Sequence, residues 1–345
     1  MTKKKSETQI KRPPILFKQT QSLIKQLGEH FEGDFISYWV SDKSRIVSND
    51  VVVFYELMKH RKRKKTLYLF IKSDGGNGQA SLRIINLLRD YYDEIIALVP
   101  LDCASAATML VLGANKIIMG SPAYLSAVDT SITHELSPVD KDNDLVSVSQ
   151  VELSRVLRLW EDKKEENKDN PYNKLYDHIH PLVFGAVDRA SSLSIKLTSE
   201  ILSYHMDDRT KVESISNHLN ASYPSHGYPI TYKEAQKIGL NVEKMTAEVN
   251  DLLLDLNMIY SEMAQLALTD FDEFNYHDNE ILKVIETNGL QSFYQKDKDM
   301  HYRKEERRWV PMNDSSCWSK LIENMEHLDK SGTEGGYLET KFYIN

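Results

Sequence analysis

Between Leu67 and Asp129 the chain repeats one plan twice: an apolar strand, a tight turn, then a helix. The first unit is Thr66-Leu67-Tyr68-Leu69-Phe70-Ile71-Lys72, the turn Ser73-Asp74-Gly75-Gly76, and a helical run to about Arg89. The second is Ile95-Ile96-Ala97-Leu98-Val99-Pro100, then Leu101-Asp102-Cys103, then Ala104-Ser105-Ala106-Ala107-Thr108-Met109-Leu110. Strands apolar on both faces belong inside a parallel sheet covered by helices. Lys116–Gly120 reads as a third short strand and Ala123–Asp129 as a fourth. This order requires right-handed crossovers and predicts an α/β fold with a mainly parallel sheet.

Around that centre the patterning is more varied. Residues 15–31 are spaced as a helix, Phe35–Val40 reads as a strand, and Asn49-Asp50 is placed to cap a helix through His60. The run from Lys59 to Lys65 reads first as a solvated connection at a helix C-terminus, where cations are favoured. A helix is expected over 146–160, an exposed polar loop over 161–170, and helices over 182–205 and 211–219. Thr231 with Glu234 suggests a capping box, and Gly239 a helix stop. Met245–Leu268 is amphipathic, suited equally to docking on its own core or to a subunit contact. Residues 281–311 look β-rich about an Asn288-Gly289 turn, and 314–328 reads as a last helix. The expected domains are an N-terminal tail and helix over 1–45, a catalytic unit over 46–245 with a polar insert near 140–172, and a C-terminal extension over 246–345.

The net charge of −8 argues against general nucleic-acid binding. The two cysteines, Cys103 and Cys317, form no metal or disulfide framework, which fits a cytoplasmic setting. No apolar run reaches the roughly 18 residues a membrane span needs.

The chemistry gathers at the two turns. Ser105 stands at a helix start among small alanines, open to a substrate carbonyl. The amides of Gly75, Gly76 and Ala106 would face a developing oxyanion if the two strands are neighbours. The competing explanations are an N-cap serine and a plain Gly-Gly turn. Cys103 is a rival nucleophile, though a cysteine there is more often a small buried apolar residue.

The blocks Ser73-Asp74-Gly75-Gly76, Ala104–Thr108 and Leu125–Asp129, with His226-Gly227-Tyr228-Pro229-Ile230 and Glu234-Ala235…Ile238-Gly239-Leu240, resemble the Clp/crotonase fold. More narrowly, they resemble the serine dehydrogenase proteinase family, relatives of Clp protease and signal peptide peptidase A. The resemblance covers about residues 65–245. It implies stacked β-β-α units, a serine peptidase with Ser105 as nucleophile, Gly75, Gly76 and Ala106 as oxyanion donors, and no cofactor or metal. It also implies peptide or protein substrates, self-assembly of trimer, hexamer or heptamer type, and room for a regulatory protein partner.

One position departs from that pattern. Clp proteases would offer a histidine near Ser126 or Ala127, and this chain has none there. His226 is the first choice of base, with Asp129 to orient it; His134 and Lys141 are the alternatives, and His178 with His180 lack a completing metal ligand. Two other functions stay open: a non-catalytic assembly subunit that kept the fold, and an acyl-CoA enzyme of crotonase type.

Overall fold

In each central strand alternate side chains enter opposite cores, because successive residues of a strand face opposite ways. Leu67, Leu69 and Ile71 join one hydrophobic cluster, and Phe70 joins the other. Ile95, Ala97 and Val99 divide from Ile96 and Leu98 in the same manner. A sheet with two apolar faces needs helices on both, and the chain supplies them.

The computed structural model describes residues 9–59, 61–141, 144–161, 171–323 and 337–344. In chain order the elements are α1 (Phe17–Glu29), β1 (Asp34–Val40), α2 (Ser48–Met58), β2 (Lys64–Lys72), α3 (Gly78–Tyr91) and β3 (Tyr92–Val99). Next come β4 (Asp102–Cys103), α4 (Ala106–Leu112), β5 (Lys116–Met119), β6 (Tyr124–Leu125), β7 (Ser131–Ile132) and β8 (Val148–Ser149). A helical stretch follows: α5 (Gln150–Glu161), α6 (Pro171–Tyr176), α7 (Pro181–Leu202), α8 (Arg209–Ala221) and α9 (Tyr232–Lys237). The remainder is β9 (Val242–Lys244), α10 (Ala247–Met263), β10 (Ala267–Asp272), β11 (Asn275–Thr287), β12 (Leu290–Arg303), β13 (Arg308–Asp314), β14 (Cys317–Glu323) and β15 (Tyr337–Phe342).

The main sheet runs β15-β14-β12-β11-β1-β2-β3-β5-β9, with β10 on β11 and β13 on β12. From β1 to β9 the strands are parallel, as the apolar runs predict. From β11 outward they are antiparallel, and β11 joins the parallel part by pairing with β1. Helices α2, α3, α4, α7 and α8 cover one face, and α1 with α10 the other. The stripe of α10 docks on its own sheet: Val249, Leu253, Leu256, Tyr260 and Met263 are buried there.

Several expectations are corrected. The fourth strand shrinks to Tyr124–Leu125, paired with β4. Beyond it, backbone amides find other partners: Ser126 N–H donates to Thr108 Oγ1 at 3.0 Å and Val128 N–H to the Leu219 carbonyl at 3.0 Å. The expected last helix begins instead as strand β14, because Cys317–Leu321 pairs with β12 and tertiary pairing overrides a helix-like spacing. Thr231 makes no side-chain capping bond, and Glu234 accepts from the Tyr223 hydroxyl at 3.4 Å instead. Val47, not Asn49, is the N-cap of α2; Asp50 sits in the first turn and accepts from Val47 N–H at 2.9 Å. The Asn288-Gly289 turn stands, with Gly289 at φ +77°. The basic run is an ion-paired connection: Arg61 and Lys64 meet Asp34 at 3.2 and 2.6 Å, and Arg63 meets Asp93 at 2.8 Å. The expected polar loop lies, but for Glu161, outside the described residues.

Two buried acids tie distant segments together. Asp50 accepts from the Tyr38 hydroxyl at 2.7 Å and from Lys283 Nζ at 2.9 and 3.0 Å, joining α2, β1 and β11. Glu286 of β11 accepts from Thr20 and Gln21 of α1 at 2.6 Å each, from Tyr260 of α10 at 2.7 Å and from Gln291 of β12 at 2.8 Å. Burial outweighs those donors and pushes the Glu286 carboxyl up to about 7. An acid whose folded pKa is raised holds its proton more tightly in the native state. Its contribution is therefore complete below its unfolded pKa and is lost as pH rises through about 7. Stability of the wild type relative to Glu286→Gln should fall between pH 4.5 and 7 by of order 3 kcal/mol, read from urea unfolding at a series of pH values. A difference that stays flat with pH would contradict this.

Candidate active site

Strands β2 and β3 are parallel neighbours, so the turns that follow them lie side by side. They are also stitched directly: Ser73 N–H donates to the Asp102 carbonyl at 3.1 Å, and Ala104 N–H to the Ser73 carbonyl at 2.9 Å. Gly75 has φ +104°, and a Cβ there would lie 2.6 Å from Ser105 Cβ and 2.9 Å from Ala106 N. Only glycine lets these two turns approach so closely.

Ser105 itself is strained. It has φ +52° and ψ −119°, a conformation rare for a residue with a side chain. It precedes α4 yet makes no side-chain capping bond, which removes the N-cap explanation of this serine. Among the described residues its hydroxyl has no hydrogen bond and lies at the wall of a cleft of about 330 Å³. The elbow is held from behind, where Ser105 N–H donates to Ser126 Oγ at 2.8 Å. Ser126 Oγ donates in turn to the Ala127 carbonyl at 3.0 Å. Outliers of this kind cost of order 1–3 kcal/mol and persist where the surroundings over-determine them.

The amides around Ser105 differ in availability. Gly75 N–H already donates to Ser73 Oγ at 3.0 Å, which corrects the expectation that it faces the substrate. Gly76 N–H and Ala106 N–H have no hydrogen-bond partner among the described residues. Ala106 opens α4, and the first amides of a helix lack intrahelical acceptors.

His226 and Asp129 line the same cleft as Ser105. His226 Nδ1 lies 2.8 Å from Asp129 Oδ1, so the carboxylate fixes a ring whose Nε2 is the other face. The hydrogen bond to Asp129, opposed by burial, raises the imidazole above its ordinary value. The loop that carries His226 is clamped at its end, where Ile230 and Leu125 exchange backbone hydrogen bonds of 2.7 and 3.0 Å. Tyr223 and Tyr228 stack across it at 5.0 Å.

The other candidates are elsewhere. His134 closes its own turn, its Nδ1 accepting from Leu136 N–H at 3.1 Å, and neither it nor Lys141 lines the cleft. His180 caps α7 by accepting from Leu182 N–H at 3.2 Å, and His178 lies outside the cleft. Cys103 is buried, and burial pushes its thiol well above the usual range, so it is a poor nucleophile. Among the described residues no cluster of histidine, cysteine and carboxylate could hold a metal. No helix among them is long and apolar enough to cross a membrane.

Several lining residues escaped the sequence reading. The apolar wall is built by Met109 of α4 and by Ala190, Leu193 and Leu197 of α7. Helix α7 has an apolar stripe legible in sequence, but which residues of it reach the site depends on how it packs. Asp74 and Arg45 also line the cleft. Asp74 sits within the quoted Gly-Gly block; Arg45 carries no local pattern.

No known family profile matches this chain. An uncharacterized protein of Methanocaldococcus jannaschii is 24% identical over 194 residues, which are 56% of this chain and 59% of that protein. The chain thus spans about three fifths of the relative it matches. Among solved structures, a mutant of the membrane-bound stomatin-specific protease 1510-N is similar over 65% of this chain and 85% of that one. Its TM-score is 0.38 and its identity 14%. A peptidase from Plasmodium falciparum is similar over 64% of this chain and 98% of that one, with TM-score 0.31 and identity 11%.

Proposed function

We propose that this chain is a serine-type peptidase of Clp-like fold, with Ser105 as nucleophile and His226 as general base. The reading rests on one observation: Ser105 is held at φ +52° with its hydroxyl uncapped, in the cleft that also holds the His226–Asp129 pair. Asp129 accepts from Nδ1–H, which leaves Nε2 as the basic nitrogen. In a Michaelis complex Nε2 takes the Ser105 proton as Oγ attacks the peptide carbonyl. The oxyanion receives hydrogen bonds from Gly76 and Ala106 N–H. His226 then gives the proton to the leaving amine, and water releases the acyl group by the same route in reverse. One oxyanion donor is typically worth about 2.7–4 kcal/mol of barrier. The catalytic unit is taken as 46–245, acting on peptides or proteins as a cytoplasmic homo-oligomer that needs no cofactor.

A fluorophosphonate probe tests the assignment. Wild-type protein should be labelled at Ser105, and Ser105→Ala should lose all labelling while keeping its circular dichroism spectrum. Absence of labelling on well-folded wild type would turn the reading toward a non-catalytic assembly subunit. Protection from heat by coenzyme A would turn it toward an acyl-CoA enzyme.

A further inference from the structure

The guanidinium of Arg45 is a cation at this cleft that no described residue neutralises. It is exposed, lines the cleft beside Ser105 and His226, and makes no ion pair or hydrogen bond among the described residues. Its backbone is nonetheless fixed. The next residue, Ile46, donates its N–H to the Gly75 carbonyl at 2.8 Å and accepts from Asn77 N–H at 2.9 Å. A Cβ placed on Gly76 would lie 3.1 Å from Arg45 Cβ. Arg45 therefore springs from a connection pinned at Ile46 by its bridge to Gly76, the residue whose amide is the proposed oxyanion donor.

The two carboxylates lining the cleft have other neighbours. Asp129 holds His226. Asp74 is crowded by Asp102, which meets Lys72 at 3.3 Å, and burial with that neighbour disfavours its charged form. On its other side Arg45 borders a second cleft of about 460 Å³. The cations lining that cleft, Lys43 and Lys283, are paired with Glu280 and Asp50. A planar guanidinium offers paired donors that match a carboxylate.

We propose that Arg45 is a specificity residue, selecting substrates that present a carboxylate next to the scissile bond. This rests on the peptidase reading of the same cleft. The carboxylate is either an acidic side chain or the free C-terminus of a peptide, and the two sources are separable.

The test is binding, measured by calorimetry on full-length Ser105→Ala protein, which cannot turn substrate over. The ligands are blocked alanine octapeptides carrying one glutamate at each position in turn, the same series with glutamine, and an octapeptide with a free or an amidated C-terminus. At one position the glutamate peptide should bind about tenfold more tightly than its glutamine twin, as a charge-assisted bond to arginine predicts. If only the free C-terminus shows the gain, the terminal carboxylate is the ligand. Adding Arg45→Gln should bring the ratio to one, and Arg45→Glu should invert it in favour of the glutamine peptide. Ratios near one throughout, including no binding of either series, overturn the proposal, as does a preference that survives Arg45→Gln. Failure of the peptidase reading shows separately, as absent probe labelling at Ser105 in the wild type.

Discussion

Replacing His226 with alanine is expected to slow phosphonylation of Ser105 by the fluorophosphonate, in which Oγ attacks phosphorus and fluoride leaves, by about 10²–10⁴-fold, the range a general base contributes. The fold should survive, since the ring is half-exposed and its loop is held by the Ile230–Leu125 bonds. The pH profile gives a sharper reading. The base works when neutral, so the phosphonylation rate should rise with pH through a midpoint above the ordinary histidine value, raised by the bond to Asp129. In Asp129→Asn the imidazolium loses its charged partner, so the midpoint should move to lower pH and the plateau should fall. The same pair contributes stability that is complete below the unfolded histidine pKa and is lost as pH rises through the raised one. A rate unchanged in His226→Ala would remove His226 from the mechanism.

The second large effect concerns the structure that carries the site. Asp50 is fully buried and Lys283 nearly so, with 5% of its side chain exposed. Lys283→Ala should destabilise by about 3–5 kcal/mol, the usual consequence of removing one partner from a buried ion pair. It leaves a carboxylate facing only the Tyr38 hydroxyl and the Val47 amide. Pairing Lys283→Met with Asp50→Asn should recover much of that loss, because the isolated charge goes with it. Urea midpoints at constant m-value check both. A single variant within about 0.5 kcal/mol of wild type, the ordinary surface range, would mean the pair is hydrated and of little consequence.

The parallel half of the fold was legible because its strands are apolar on both faces. That pattern at 66–72 and 95–99 admits few placements besides the centre of a covered sheet. The glycine pair and Ser105 were legible because their chemistry is local to two turns. His226 and Asp129 are 97 positions apart, and the structure brings them to 2.8 Å; what suggested them was residue type beside Pro and Gly, together with family resemblance. What stayed hidden depends on distant pairing. The junction of β1 with β11 is antiparallel and long-range, and nothing within 34–40 announces it. Lys283 lies in a stretch legible only as β-rich, and its partner Asp50 is 233 positions away. Cys317–Glu323 has apolar spacing that suits a helix equally well, and only β12 decides otherwise. Arg45 lies in Asp42-Lys43-Ser44-Arg45, a polar connection with no pattern of its own.

The β1–β11 junction also governs the order of events during synthesis. When Asp34–Val40 leaves the ribosome, its partner Asn275–Thr287 has yet to be translated. At bacterial-like elongation rates the delay is about 10–50 s. Throughout it, the nascent chain presents a bare, hydrophobic strand margin, a natural target for chaperones. Shortening the chain before Thr287 would make that temporary exposure permanent, and such truncations should accumulate as aggregates rather than as smaller working proteins.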